Sequence, residues 1–551
     1  MSRRFGVAIA FALAAIAQVY APGPQVLTFL SDVDDTDQPY ALYLPASYSA
    51  QKKYPVVISL HGEFSNHRLN LRRVFGRGNR IGETDAEATR YWPPMKNVEF
   101  IVASPVARGT MGYKGVAEKD VYDVLADVKR RFSVDEDRIY LTGLSMGGGG
   151  ALWLGLTRPD VWAGIALVCP LVPAGTEPLA GNALNVPIKI FQGERDPIVP
   201  AKETRRWQQL LSSAGVKSEY VEYEGIRHNA WDIAYKDAAI FDWFSGRTRI
   251  TYPDRVQHAA TSFKHGRAYW VHFDVFTPGT PAAVDARFTA RKRISIRTQN
   301  LHAFTLALKG HPMNAGAGSL ILSVDGAELQ TRPAATIDSV SLEKGAKGWQ
   351  LVRAPARAPK RAGAEGPIAD AFASRHIYVY GTGATTDEQE LQRRKVIAQE
   401  AAEWSTSRLK LMLTFRAMAD HELTPADMQN AHLVLFGTKE TNSVIAKYAA
   451  ALPMSLNAGA ADYGLMYVYP VDGRYVVIQS GLPWWTRFDL TSRFELPMLN
   501  SPHHALNTFG DYFVFRGGLD NIVAEGRFDR NWKLPPEAAQ KLRSLGAIEV
   551  R

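Results

Sequence analysis

A glycine-framed serine lies between a strand-like run and a helix-like run in RIYLTGLSMGGGGALW (residues 138–153). The segment GLSMG (143–147) fits the pattern G-x-S-x-G. The two glycines of that pattern allow a very sharp strand-to-helix turn, which projects the serine hydroxyl at the carboxyl edge of a sheet. The stretch therefore predicts an α/β fold with Ser145 as a nucleophile. The simpler interpretation, a small residue in a glycine-rich bend, holds unless the chain also supplies a base and an orienting acid.

Both partners of a nucleophilic serine follow Ser145 in the order that this fold requires. A serine hydroxyl needs a histidine base and an acid that orients it, and each should come just after a strand. VPIKIFQGERDPIVP (186–200) places Asp196 in such a loop, and YVEYEGIRHNAW (220–231) places His228 in the next. Glu194 is a competing acid, but Asp196 is preferred because it lies deeper in its loop. The sequence thus predicts a Ser145–His228–Asp196 catalytic triad.

An oxyanion hole needs two backbone donors beside the nucleophile. One is predicted to be the N–H of Met146, the residue after the serine, and the other the N–H of Glu63, in the loop after the ISLHG strand (58–62). A carboxylate beside a developing oxyanion is unfavourable, so we expect the Glu63 side chain to point away or to pair with a cation. His61 is interpreted as a residue that stabilises this loop.

The chain is 551 residues long, which exceeds the size of one hydrophobic core. Strand and helix patterns alternate over residues 25–245, which predicts an α/β domain with a mostly parallel sheet covered on both faces. Residues 246–353 show short strand-like runs and predict a small all-β, sandwich-like domain. Residues 354–367 are rich in Pro, Ala and basic side chains and predict a linker. Alternation resumes over residues 368–551, which predicts a C-terminal α/β domain of flavodoxin-like type.

The N-terminus, MSRRFGVAIAFALAAIAQVYA, is typical of a secretory signal peptide: two arginines, a short apolar run and small residues. We predict cleavage after Ala17 and a secreted or periplasmic protein without a membrane span in its mature form. Cys169 is the only cysteine, so no internal disulfide is expected, and its apolar surroundings favour a buried packing role.

Composition and the remaining motifs indicate no cofactor, metal or nucleic-acid partner. The net charge of +9 is modest for this length, and the basic runs at 290–297 and 353–363 are typical of a solvated face or linker. The G-x-G at 381–383 is weak evidence for a nucleotide. The pair His503-His504 lacks the further ligands that a metal site needs. The sequence does not indicate an oligomeric state.

Four stretches of the sequence resemble a known family: YPVVISLHG, EKDVYDVLADVKRRFSVDEDRIYLTGLSMGGGGALWL, FQGERDPIVP and GIRHNAWDIAY. Through them, residues 54–245 of the domain at 25–245 resemble the secreted α/β-hydrolases grouped with feruloyl esterases, polyhydroxybutyrate depolymerase-like esterases and prolyl-oligopeptidase-type hydrolases. The resemblance implies a triad of Ser145, Asp196 and His228. This chain departs from the family in the segment EFSN after the His-Gly pair, where the family more often has small residues. The departure includes Glu63, the residue predicted to give the second oxyanion donor.

The predicted activity is that of a secreted serine carboxylic ester hydrolase on feruloyl, hydroxycinnamoyl or other bulky, polysaccharide-linked esters. Only about 15 residues (171–185) separate two predicted strands, too few for a large lid, so an open site is expected. Trp92, Tyr113 and Trp231 are candidate contacts for an aromatic acyl group, with packing as the alternative. Two other functions stay open. One is a prolyl-oligopeptidase-type serine peptidase, disfavoured because no propeller precedes the hydrolase, and the other is a non-catalytic scaffold with a relict triad.

Overall fold

A computed structural model describes residues 20–277, 279–355, 358–403, 413, 415–491 and 505–551. The predicted signal peptide at 1–17 and the pair His503-His504 lie outside these residues. Within the described part of the chain, no helix combines the length and apolarity needed to cross a bilayer.

The first sheet has eight strands in the order β1-β2-β4-β3-β5-β6-β7-β8. The strands from β4 to β8 along this order are parallel, whereas β1 and β2 pair antiparallel at one edge, an addition that the sequence patterns did not reveal. The strands are β1 (Gly23–Leu30), β2 (Asp37–Leu44), β3 (Tyr54–Leu60), β4 (Ile101–Pro105), β5 (Val134–Leu144), β6 (Gly164–Val168), β7 (Ile188–Gly193) and β8 (Ser218–Tyr223).

Helices cover both faces of this sheet, which explains why its central strands read as continuous apolar runs. Successive residues of β3 belong to different hydrophobic clusters: Val56 and Ile58 pack on one face and Val57 on the other. The helices are α1 (His67–Val74), α2 (Asp85–Ala88), α3 (Val116–Arg131), α4 (Met146–Thr157), α5 (Ala201–Ser213), α6 (Trp231–Ala234) and α7 (Ala239–Ser245). The α/β-hydrolase prediction agrees with this sheet.

The next part of the chain forms two five-stranded sheets, ordered β10-β11-β14-β17-β18 and β16-β15-β13-β12-β9, whose apolar side chains share one cluster. Val284 from one sheet and Phe304 from the other are both buried in it. The strands are β9 (Arg255–Ala260), β10 (Arg267–Ala268), β11 (Val271–Phe276), β12 (Ala282–Ala290), β13 (Arg293–Gln299), β14 (Leu301–Ala307), β15 (Ile321–Val324), β16 (Ala327–Gln330), β17 (Ser339–Gly345) and β18 (Gly348–Val352).

The C-terminal sheet is mixed: in the order β20-β19-β21-β24-β23-β25-β26 the first four strands are parallel and the others antiparallel. A flavodoxin-like sheet is parallel, so that prediction is not confirmed; the hairpin of β23 and β24 reverses the chain without a crossover helix. The elements are α8 (Ile368–Phe372), β19 (His376–Tyr380), α9 (Glu388–Ala402), β20 (Ala417–Ala419), α10 (Pro425–Asn430), β21 (His432–Phe436), α11 (Ser443–Tyr448), β22 (Met454–Leu456), β23 (Tyr463–Val471), β24 (Arg474–Gly481), β25 (Tyr512–Arg516), β26 (Gly518–Gly526), α12 (Pro536–Ser544) and β27 (Ile548–Val550).

A buried carboxylate joins the first sheet's helices to the segment between β9 and β10. Glu118 on α3 accepts hydrogen bonds from Trp153 Nε1 on α4 (3.2 Å) and from His265 Nε2 (2.8 Å), and it pairs with Lys264 Nζ at 3.0 Å. Burial acts to raise the pKa of Glu118, but the neighbouring His265 and Lys264 outweigh it and hold the pKa well below the usual range. The carboxylate therefore stays charged and links three segments.

Candidate active site

Ser145 stands in the strained turn that the sequence predicts, between β5 and α4, with φ 54° and ψ −119°. The two framing glycines are required by contact distances. A Cβ atom on Gly143 would lie 2.1 Å from the carbonyl oxygen of Gly147, and one on Gly147 would lie 2.3 Å from that of Leu60. Both distances are far inside van der Waals contact. The turn therefore forms only with glycine at both positions.

The other three glycines of the run bring α4 close to its neighbours. A Cβ atom on Gly148 would lie 2.7 Å from the Val168 carbonyl oxygen, and one on Gly149 would lie 1.7 Å from that of Leu171. On Gly150 it would lie 2.4 Å from the ring of Tyr113. The glycine-rich helix thus packs with its backbone directly against β6 and the loops around the serine.

The structure brings Ser145, His228 and Asp196 into one hydrogen-bonded row. The Nε2 atom of His228 lies 3.0 Å from the Ser145 Oγ atom, and Nδ1 lies 2.7 Å from Asp196 Oδ2. These are the two contacts that a base needs to accept the serine proton and to hold its own orientation. Ser145 is 8% exposed and the His228 side chain 22%, so a substrate can reach both.

The loop after β7 holds Asp196 rigidly. Its Oδ1 atom accepts the backbone N–H groups of Ile198 (2.8 Å) and Val199 (2.9 Å), which leaves Oδ2 for His228. Burial alone would raise the pKa of this carboxyl, but the hydrogen bond from His228 and those from the backbone outweigh it and lower the pKa. Asp196 is therefore ionised and faces the imidazole N–H.

Glu194, the competing acid, has a different partner. Its Oε2 atom accepts the backbone N–H of Gly225 at 2.8 Å, which ties the loop after β7 to the loop after β8. The sequence patterns missed Gln192, which also supports the acid: its Nε2 atom lies 3.3 Å from Asp196 Oδ2 and donates to the Val199 carbonyl (2.9 Å). The sequence signal for this role was a glutamine at the end of a buried strand, because a buried amide must find hydrogen-bond partners.

The two predicted oxyanion donors flank the serine. Met146 is the first residue of α4, where a backbone N–H has no partner within the helix. On the other side, a Cβ atom on Gly62 would lie 3.5 Å from the Ser145 Cβ atom, so the loop that carries Glu63 runs directly beside the nucleophile. Both predicted donors thus belong to segments in contact with the serine turn.

The Glu63 side chain does not meet the expectation of a cation partner. Both of its carboxyl oxygens are shielded from solvent, and no hydrogen-bond partner among the described residues reaches either of them. Burial alone raises the pKa of this carboxyl to about 7. The unfavourable charge is therefore reduced by protonation and not by pairing.

His61 stabilises the same loop, in agreement with its interpretation from sequence. Its ring nitrogens lie 2.7 Å from the Gly62 carbonyl oxygen and 2.9 Å from that of Val106, which connects the loops after β3 and β4. Burial lowers the pKa of His61, while the two backbone carbonyls act to raise it. It has no contact with the triad in this network.

Tyr113, predicted as a contact for the acyl group, is enclosed by its own neighbours. This side chain is 2% exposed, packs against Gly150 and donates its hydroxyl to the His61 carbonyl oxygen at 3.0 Å. Because α4 has no side chain at Gly150, the Tyr113 ring fits against its backbone, a contact that the sequence alone did not indicate. Tyr113 is a structural support of the oxyanion loop.

The two tryptophans predicted as substrate contacts, Trp92 and Trp231, have different neighbours. Trp92 is partly buried; its indole N–H donates to the Arg68 carbonyl (3.3 Å), and the Arg68 guanidinium stacks on its ring at 4.1 Å. Trp231 lies edge-on to His228, with 5.4 Å between the two ring centroids, and the Arg73 guanidinium lies over the Trp231 ring at 5.4 Å. Of the three predicted aromatic contacts, Trp231 is the one that touches the triad.

Cys169 lies beside the triad in a buried position, as its apolar context predicted. Its Sγ atom contacts the His228 carbonyl oxygen at 3.4 Å, and the possible ligand atoms of Cys169, Asp196 and His228 lie within 4.8 Å of one another. A metal would need a thiolate. Burial raises the pKa of the Cys169 thiol strongly, and the Asp196–His228 hydrogen bond occupies the other two groups, so this cluster fits the triad better than a metal.

Comparisons with known proteins agree with this fold. The Esterase family model, described as "Putative esterase", matches residues 33–275. Acyl-protein thioesterase 1 of Gibberella zeae is 32% identical over 100 residues, which are 17% of this chain and 42% of that protein. Cutinase 1 of Thermobifida cellulosilytica is 34% identical over 107 residues, 19% of this chain and 38% of that protein. The matches thus span less than half the length of either relative.

Two solved structures each align with 41% of this chain. A ferulic acid esterase from Anaeromyces mucronatus has 18% identity and a TM-score of 0.31, covering 41% of this chain and 90% of that one. A fluorophosphonate-binding serine hydrolase, FphF of Staphylococcus aureus, has 18% identity and a TM-score of 0.32, covering 41% and 99%. The Esterase family model thus matches the part of the chain, residues 33–275, that holds most of the eight-stranded sheet and the row of Ser145, His228 and Asp196.

Proposed function

We propose that this protein hydrolyses carboxylic esters with Ser145 as nucleophile, His228 as general base and acid, and Asp196 as the group that orients the histidine. The observation that carries the proposal is the position of His228, within hydrogen-bond distance of both Ser145 Oγ and Asp196. A histidine held in this way, next to a serine on a strained turn, matches what an activated nucleophile needs.

The reaction follows from these contacts. The Ser145 oxygen attacks the ester carbonyl carbon while its proton passes to Nε2 of His228, and the N–H groups of Met146 and Glu63 bind the negative oxygen of the tetrahedral intermediate. Nε2 then protonates the departing alcohol, and an acyl-serine remains. Water attacks this acyl group, giving one proton to Nε2, and the acid leaves as Ser145 recovers its proton.

A bulky or aromatic acyl group is the substrate class that we propose. Trp231 offers an aromatic surface at the catalytic histidine, where a hydroxycinnamoyl ring can stack. The short segment between β6 and β7 is fastened by hydrogen bonds: Asn182 donates to the Leu156 and Ala259 carbonyls and Asn185 to that of Arg255. These contacts support an open site, which suits a bulky ester. We also propose export, on the strength of the N-terminal pattern.

The test is a substrate panel with purified full-length protein and a Ser145→Ala variant. We expect turnover of p-nitrophenyl acetate and methyl ferulate, release of ferulate from feruloylated arabinoxylan, and loss of all three activities in the variant. Exposed Ser212→Ala serves as the matched control and should behave as wild type. Cleavage of amino-acid amides without ester turnover would replace the proposal with a peptidase. Failure of a fluorophosphonate to label the folded protein would favour a non-catalytic scaffold.

A further inference from the structure

Glu63 combines two properties that the hydrolytic mechanism does not use. Its backbone N–H belongs to the proposed oxyanion hole, and its carboxyl oxygens are enclosed with no hydrogen-bond donor from the part of the chain that the structure describes. The other polar side chains of the same segment do not satisfy it, because Ser65 Oγ and His67 Nδ1 are themselves buried without a partner among the described residues. A buried carboxyl in this situation is stable mainly in its neutral form.

Covalent geometry places this carboxyl near the reaction. Four bonds connect the backbone nitrogen of a glutamate to its carboxyl carbon, which limits their separation to about 5 Å. A donor in an oxyanion hole lies about 3 Å from the oxygen that it binds. If the Glu63 N–H is such a donor, its own carboxyl is within about 8 Å of the oxyanion in every side-chain conformation. The contact of Gly62 with Ser145 supports this position of the loop.

We propose that Glu63 makes ester hydrolysis depend on its own protonation: the neutral carboxyl leaves the oxyanion undisturbed, and the carboxylate opposes it. The inference rests on the proposed function. Two negative charges about 8 Å apart at an effective dielectric of about 20 repel each other enough to slow the reaction about 30-fold, or ~2 kcal/mol at 1.36 kcal/mol per tenfold.

The charges around Glu63 do not interfere with this dependence. The titratable and charged groups of the adjoining segments include His61 on its own loop, His67, Arg68, Arg72 and Arg73 on α1, Tyr113, and the His228–Asp196 pair across the serine. None of them contributes to the pKa of Glu63, for which burial is the single cause. The ionisation of Glu63 therefore falls near neutral pH, with a pKa of about 7.

The experiment compares kcat/KM for p-nitrophenyl acetate in wild type and Glu63→Gln from about pH 5 to about pH 9, with Ser145→Ala as the blank for spontaneous hydrolysis. The ratio of wild type to Glu63→Gln cancels every ionisation that the two enzymes share. We expect a ratio near one at the acid end, a fall of about 30-fold, and a midpoint at about pH 7. Exposed Glu203→Gln is the matched control, and its ratio should be flat.

The outcomes are distinguishable. A flat ratio in an enzyme that hydrolyses the ester overturns the role of Glu63 and leaves the proposed function intact. Absence of ester turnover and of fluorophosphonate labelling in wild type overturns the proposed function itself. If Glu63→Gln does not fold, Glu63→Ala removes the same charge, and a wild-type profile that does not fall between about pH 7 and about pH 9 is sufficient to refute the inference.

Discussion

Replacing Asp196 with asparagine should abolish the base without disturbing the fold. In the native loop, Oδ1 accepts two backbone N–H groups, from Ile198 and Val199, and Oδ2 accepts the N–H of His228. An asparagine oxygen must stay against the two backbone donors, because its NH₂ group there would face them. The amide NH₂ then points at His228 Nδ1, which must become an acceptor. The imidazole therefore carries its proton on Nε2, facing Ser145, and cannot take the serine proton.

The size of the effect follows from this change of tautomer. Loss of the correct tautomer in a serine–histidine–aspartate triad lowers kcat by about 10⁴-fold, equivalent to ~5.4 kcal/mol of transition-state stabilisation. The substitution leaves the groups that bind the ester in place, so KM for p-nitrophenyl acetate should change little. The measurements are steady-state kinetics and the rate of fluorophosphonate labelling, which should fall in parallel. The thermal unfolding midpoint shows whether the loop has kept its structure.

Glu194→Gln is the matched control, since it makes the same chemical change two residues away. Its partner is the Gly225 N–H and not the histidine, so we expect at most about a twofold change in kcat/KM. Asp196→Asn retaining more than about a tenth of wild-type activity would refute the tautomer argument. A loss in Glu194→Gln as large as that in Asp196→Asn would also show that the orienting acid has been misassigned.

Three further changes test the structure around the site. Gly147→Ala should prevent both folding and fluorophosphonate labelling, because the added Cβ atom would lie 2.3 Å from the Leu60 carbonyl oxygen. Gly164→Ala is the control: its added Cβ atom has its nearest neighbour at 3.4 Å, so this variant should express as soluble, labelled protein. Glu118→Gln should lower the unfolding free energy, measured in a denaturant titration, by about 3 kcal/mol. Because the folded-state pKa of Glu118 is lowered, this difference between wild type and variant is fully present at neutral pH and disappears as acid protonates the carboxylate. Glu63→Gln should have little effect on the melting temperature near pH 4 and should raise it increasingly up to about pH 7, above which the difference stays constant. Over that range the unfolded chain ionises Glu63 while burial keeps the carboxyl neutral in the folded protein, and an equal shift at about pH 4 and about pH 8 would contradict this.

The stretch predicted as a linker is attached to the rest of the protein. Lys360 is fully buried, with its ammonium against the Asp511 carboxylate and 4.4 Å from the centre of the Trp532 ring. Glu365 accepts hydrogen bonds from Ser262 Oγ and from the Lys264 backbone, each at 2.9 Å. Proline, alanine and basic residues have the composition of a linker, yet these partners lie about a hundred residues away in sequence or more, so composition did not indicate them.

The sequence by itself determined the elements whose causes are local. The alternation of apolar runs predicted the parallel strands, and the glycines around Ser145 predicted the strand-to-helix turn, because neighbouring residues set backbone geometry. The order of Ser145, Asp196 and His228 could also be read from the sequence, since each follows a strand and the carboxyl ends of parallel strands meet at one edge. The roles of these residues in catalysis stay a prediction until the variants are measured.

Tertiary structure decided everything that depends on what a side chain meets. Tyr113 and Trp231 are equally aromatic in sequence, but one supports a loop from inside and the other touches His228. The antiparallel strands β1 and β2 and the mixed C-terminal sheet depend on pairing between distant segments. The state of Glu63 depends on burial without a donor, a property of the folded surroundings. Packing and desolvation arise between residues far apart in the chain, so no local pattern records them.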